Sequence, residues 1–111
     1  MATDSFTLAS GEPFDGVHNT LTSTTADDIT ITCTGESFRV EVVNRSTTQA
    51  LWARVGATAV ASADGTAYIS PAASSGPPST WSFRMGPGVT TVSVVGNAND
   101  YSVHGAPLSA C

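Results

Sequence analysis

ITITCTGESFRVEVV, Ile29 to Val43, alternates twice around a break. Ile29, Ile31 and Cys33 fall on one side of an extended chain and Thr30 and Thr32 on the other; beyond Gly35, Phe38, Val40 and Val42 repeat the pattern against Arg39 and Glu41. Period two is the repeat of a β-strand with one face buried, and Ile, Val and Thr suit such a half-buried pleated surface. A glycine between the two runs gives the chain a place to turn.

The pattern continues along the chain. Trp81, Phe83 and Met85 oppose Ser82 and Arg84, Val92 and Val94 alternate with Thr91 and Ser93, and Tyr101 and Val103 close the series. Turn-forming clusters separate these runs: NRSTTQ after Val43, ADG at Ala63 to Gly65, PAASSGPPS at Pro71 to Ser79, GPG at Gly86 to Gly88 and GNAND at Gly96 to Asp100. No stretch of a dozen residues repeats apolar positions at three and four without a breaker. The fold class is therefore all-β, an antiparallel β-sandwich or small β-barrel of the immunoglobulin-like, Greek-key type, with roughly seven or eight short strands. We assign the domain to residues 29–105 and a short tail to 106–111. Residues 1–28 are mixed and polar, with Phe6, Leu8, Phe14, Val17 and Leu21 as scattered apolar anchors. They read as an extended N-terminal arm, lying along its own domain or adding a strand to a neighbour.

A chain of 111 residues is one domain, and a globular part this small gains from oligomerisation. Only 12% of the residues are charged, about half the usual share, and none is lysine. With a net charge of -5 and Arg39, Arg45, Arg54 and Arg84 as the only cations, nothing offers a nucleic-acid backbone an electrostatic footprint. No apolar run reaches the roughly 18 residues that span a bilayer, and the N-terminus lacks a signal-peptide pattern, so the expectation is a soluble chain made in the cytoplasm with no membrane partner. Cys33 reads as a buried small hydrophobe, and Cys111 ends the chain.

Chemistry has few candidates. His18 and His104 lie in no ligand motif, there is no CxxC, and no serine sits in GxSxG. Asp27, Asp28 and Asp100 could gather round a cation but lack the spacing of a calcium loop. The reading is a protein without catalytic, metal or cofactor sites. Asn44-Arg45-Ser46 matches the glycosylation sequon, and Asn44 is read as serving the turn after its strand.

From Phe38 to Gly105 the chain resembles a module of tailed-phage virion proteins, especially of phages infecting actinobacteria. The likeness lies in the order VEVVNRS, LWARVGATA, DGTAYISPA, a loop, FRMGPGVTTVSVVG and DYSVHG. It implies a capsid decoration (cement) protein or related virion accessory on the capsid exterior, with the major capsid protein as partner and a homo-oligomer, a trimer for preference. The arm and the PAASSGPPS loop depart from the pattern.

LWARV, Leu51 to Val55, bears on how such a protein would dock. With Leu51, Ala53 and Val55 inward, Trp52 and Arg54 face out as a rigid aromatic beside a planar cation, a pair that gains most when a partner removes its water. The opposite register buries Trp52. On the first reading the partner-binding residues are Trp52 and Arg54, with Phe6, Phe14 and Leu21 of the arm. Two other functions fit the same strands: a tail-associated immunoglobulin-like accessory, and a carbohydrate- or host-surface-binding module in which Trp52 and Tyr68 stack on sugar rings.

Overall fold

Every alternating run named above forms a strand. The computed structural model describes residues 3–9, 15–56, 66–71 and 79–107, and the strands are β1 (Thr3–Ala9), β2 (Asp15–Thr20), β3 (Asp27–Thr34), β4 (Phe38–Asn44), β5 (Leu51–Val55), β6 (Ala67–Ile69), β7 (Ser79–Met85), β8 (Gly88–Val95) and β9 (Asp100–Pro107). They form two sheets, a five-stranded sheet A in the order β1-β3-β8-β5-β6 and a four-stranded sheet B in the order β2-β9-β4-β7. The architecture is a β-sandwich.

The inward residues are those that the alternation selects. Ile29, Ile31, Cys33, Val92 and Val94 of sheet A meet Phe38, Val40, Val42, Tyr101 and Val103 of sheet B, all buried. Each such side chain contributes on the order of 1.5–3 kcal/mol when fully buried. Gly35, at φ 85, makes the turn that carries the chain from β3 in one sheet to β4 in the other. Among the described strands only β5 and β6 are both sequence neighbours and paired; every other connection passes between the sheets.

Three sequence expectations are corrected here. Within the stretch read as an arm, β1 and β2 are strands of the sandwich, one in each sheet. β1 pairs with β3 from Thr3↔Asp28 to Ala9↔Thr34, and β2 pairs with β9 from Asp15↔Gly105 to Thr20↔Asp100. The physical reason is that Phe6, Leu8 and Leu21 fill the core at 7%, 0% and 2% exposure. The β1–β3 pairing is also parallel, so sheet A is mixed where an antiparallel sheet was expected. At the other end, β9 runs to Pro107, into the stretch assigned to the tail.

A hydrogen bond between side chains ties the sheets through the core. The Tyr101 hydroxyl on β9 donates to Asp27 Oδ2 on β3 at 2.9 Å, and Asn19 Nδ2 donates to the same hydroxyl at 3.4 Å. Burial pushes the phenol well above its ordinary value of 10.0; the Asn19 bond opposes this and Asp27 adds to it. Below pH 10 the phenol keeps its proton whether the chain is folded or not, and the stabilisation is complete. Above that pH the unfolded phenol ionises first, so stability is expected to fall by about 1.4 kcal/mol per pH unit until the folded phenol ionises as well. The buried Cys33 thiol, also raised by burial, acts with the same sign from its ordinary 9.0. Urea unfolding between pH 8 and 11.5 checks this: the difference in slope between wild type and Tyr101→Phe isolates the tyrosine.

Candidate partner-binding face

β5 settles the register of LWARV. Leu51 and Ala53 are 0% and 1% exposed, so Trp52 and Arg54 face outward from sheet A. Val55, expected inward, ends the strand at 39% exposure, where β6 no longer runs alongside. On the outer face Trp52 lies directly opposite Tyr68 of β6 on one side and Val95 of β8 on the other. The indole and phenol rings meet edge-on, centroids 4.8 Å apart and planes at 64°. This leaves Trp52 half-buried and Tyr68 57% exposed. Such edge contacts add about 0.5–1.5 kcal/mol beyond burial and fix both rings in place.

Arg54 sits two positions along the same face, opposite Ser93 of β8, which in turn lies opposite Asp28 of β3. Asp28 Oδ1 is shielded from solvent and has no hydrogen-bond partner. The strand spacing of about 4.8 Å sets Asp28 and Arg54 some two strands apart on one surface. Thr30, Thr32 and Thr91 complete the face, which carries little charge beyond that pair. The arrangement offers two fixed aromatic rings, a guanidinium and a carboxylate on a rigid sheet.

Of the other residues expected to bind a partner, Phe6 and Leu21 are core and unavailable, a correction that follows from β1 and β2 being part of the body. Phe14 lies outside the described residues, as do the ADG turn, most of the PAASSGPPS loop and Cys111. Tyr68 joins Trp52, and Asp28 and Ser93 are additions that only the strand pairing discloses.

The chemical candidates are dispersed or structural. His18 Nδ1 contacts the Ser102 hydroxyl, but the two are cross-strand neighbours on β2 and β9 and Ser102 is buried. His104 lies one row away, opposite Glu41. Among the described residues no three of His, Cys, Asp and Glu come together as a metal site would need, and no helix is long and apolar enough to cross a membrane. Asn44 is fully buried: its Nδ2 donates to the carbonyls of Gln49, Ile69 and Ser70 at 2.9, 3.2 and 3.0 Å, and its Oδ1 accepts from Ser46 N at 3.1 Å. The amide nitrogen that glycosylation would modify is thus committed inside the fold.

No family model matches the chain, and no curated protein does. Solved structures match in shape. A periplasmic lysozyme inhibitor of g-type lysozyme from Aeromonas hydrophila, PliG, is 10% identical over 95% of this chain and 98% of that one, with a TM-score of 0.52. The tryptic core variant of Cry1Da from Bacillus thuringiensis is 13% identical over 97% of this chain and 25% of that one, with a TM-score of 0.53. The likeness is one of fold. At these identities a sandwich carries no function with it.

Proposed function

We propose that this protein is a non-enzymatic structural component of a virion, one that binds the outer surface of a phage capsid, stabilises the shell and docks through the Trp52, Tyr68 and Arg54 face. The observation that carries this reading is the outward Trp52–Tyr68 pair beside Arg54 on a face of low charge. Aromatic rings and arginine are the side chains that dominate protein interfaces, and here the rings are held rigid before any partner arrives. The chain's resemblance to virion modules supplies the partner, the major capsid protein.

Cementing requires no reaction. A protein that binds the expanded shell and not its precursor lowers the free energy of the expanded form in proportion to its differential affinity, and repetition over the lattice multiplies the effect. The test is co-sedimentation with mature and precursor shells of its phage. Binding to mature shells is expected, with Trp52→Ala and Tyr68→Ala each weakening it by about 30-fold or more, the mark of a hot spot. Shells stripped of the protein are expected to open at lower temperature and to recover when it is added back. Absence of binding to either shell sinks the proposal.

The 57% exposure of Tyr68 favours one second reading, a sugar-binding module in which that ring stacks on a pyranose face. Saturable binding in a glycan screen, lost in Tyr68→Ala and Trp52→Ala, would establish it in place of the first.

A further inference from the structure

We propose that β7 is a self-pairing edge through which two copies of this chain join into one continuous eight-stranded sheet, two copies of the four-stranded sheet B. β7 ends sheet B and pairs only with β4 among the described strands, so alternate backbone N–H and C=O groups along its other side are available to another strand. The other edges are guarded. β6 has three residues, β1 turns Asp4 toward Asn19 at the end of the sandwich, and β2 carries Gly16. β7 has seven residues without Gly, Pro or an inward charge.

Its inner face is also unfinished. Trp81 and Phe83 lie opposite the fully buried Val42 and Val40 of β4 and pack on the core, yet both remain half-buried, their ring centroids 5.4 Å apart. Aromatic rings at the lip of a core are apolar surface still in contact with water.

The occupant follows from the sequence of the strand itself. Antiparallel pairing of STWSFRM with a second copy, centred on Ser82, is the register that uses all seven residues. It places Trp81 opposite the partner's Phe83 on the inner face, twice by symmetry, so each half-covered ring gains an aromatic cross-strand neighbour. On the outer face it places Arg84 opposite the partner's Thr80 and keeps the two copies of Arg84 apart. The strand matches itself face to face, and the register sets no like charges opposite each other. The result is a two-fold pair, not the three-fold assembly that the virion resemblance implies, and it leaves the outer face of sheet A uncovered.

Sedimentation equilibrium of the whole chain under reducing conditions, with Thr80→Glu and Thr80→Lys as variants, tests it. A dimer is expected for wild type. Glu at position 80 faces the partner's Arg84 at two symmetric places and should tighten dimerisation by about 2- to 30-fold, while Lys should weaken it by a similar factor. These signs are the reverse of what general electrostatics gives for a chain of net charge -5, in which an added acid raises repulsion between copies and an added base lowers it. Thr80 is exposed, so thermal melts at high dilution should match wild type and show that the fold is intact. A monomer at every concentration, a trimer, or variants whose effects are absent or reversed would overturn the proposal.

Discussion

A chain that begins at Ala26 is expected not to fold. It would lack β1 and β2, and with them Phe6, Leu8 and Leu21, three large side chains at 7%, 0% and 2% exposure. Each contributes on the order of 1.5–3 kcal/mol by area, against a total of about 5–15 kcal/mol for a domain. The truncation also strips the pairing from one side of β3 and one side of β9, baring two long edges. Poor amide dispersion in NMR and no cooperative urea transition are the expected results. A truncated chain that melts cooperatively near the wild-type temperature would mean that the N-terminal strands are an appendage after all. Leu8→Ala makes the same point with one side chain and is expected to cost about 2–5 kcal/mol, because the cavity opens at the centre of the sandwich. Gly105 of β9 makes room for that leucine, since a Cβ there would fall on Leu8 Cδ1. Gly105→Ala should therefore be severe in wild type and milder in the Leu8→Ala background, a coupling that a double-mutant cycle reads directly.

Why these two strands escape a reading of the sequence is a matter of partners. The core strands announce themselves through three inward apolar residues each, as in Ile29, Ile31 and Cys33 or Phe38, Val40 and Val42. β1 has only Phe6 and Leu8, and in β2 Val17 is the one residue packed against the core, so the local signal is faint. Their stability comes from pairing with strands far along the chain: β2 reaches β9, and β1 adds to β3 in parallel, an arrangement that no hairpin turn advertises. The binding face is legible only in part for a similar reason. Alternation in LWARV allows two registers, and the choice is made by β8, where Ala53 lies opposite the buried Val94. Tyr68 becomes the neighbour of Trp52 through the β5–β6 register, and Asp28 shares the row of Arg54 only because β8 stands between them. The turn role of Asn44, by contrast, is readable locally, and its bond from Ser46 N is the expected one. Its larger role is not readable, because it depends on Asn99, which is 55 residues away along the chain and is brought beside Asn44 only by the fold.

That larger role makes Asn44→Ala the most damaging single polar substitution expected here, at about 3–5 kcal/mol. The two hydrogens of the Asn44 amide serve three carbonyls, those of Gln49, Ile69 and Ser70, which bind the start of β5 and the end of β6 to the end of β4. Its oxygen accepts from Asn99 Nδ2 at 3.0 Å as well as from Ser46 N, and Asn99 in turn donates to Gln49 O and Ala50 O and accepts from Asn97 N. Both asparagines are buried, at 0% and 1% exposure, so alanine at either removes several hydrogen bonds at once from backbone groups at this end of the sandwich, the buried Ile69 carbonyl among those that Asn44 serves. Asn44→Asp separates volume from hydrogen bonding: nearly the same shape fits, but a carboxylate offers no N–H to the three carbonyls and sets a charge against them. It should be at least as destabilising as alanine at neutral pH, recovering in part as acid protonates it. Ser46→Ala is the mild control, because its hydroxyl accepts only from the exposed turn amides of Thr48 and Gln49 and its loss should cost about 0.5–1.5 kcal/mol. Urea midpoints for the set, with Asn44→Ala/Asn99→Ala as the double, give the decisive comparison. The double should cost clearly less than the sum of the singles, since each single already breaks the bond between the two residues. Simple additivity, or an Asn44→Ala cost no larger than that of Ser46→Ala, would show that the loops at this end of the sandwich are held by something other than the asparagine pair.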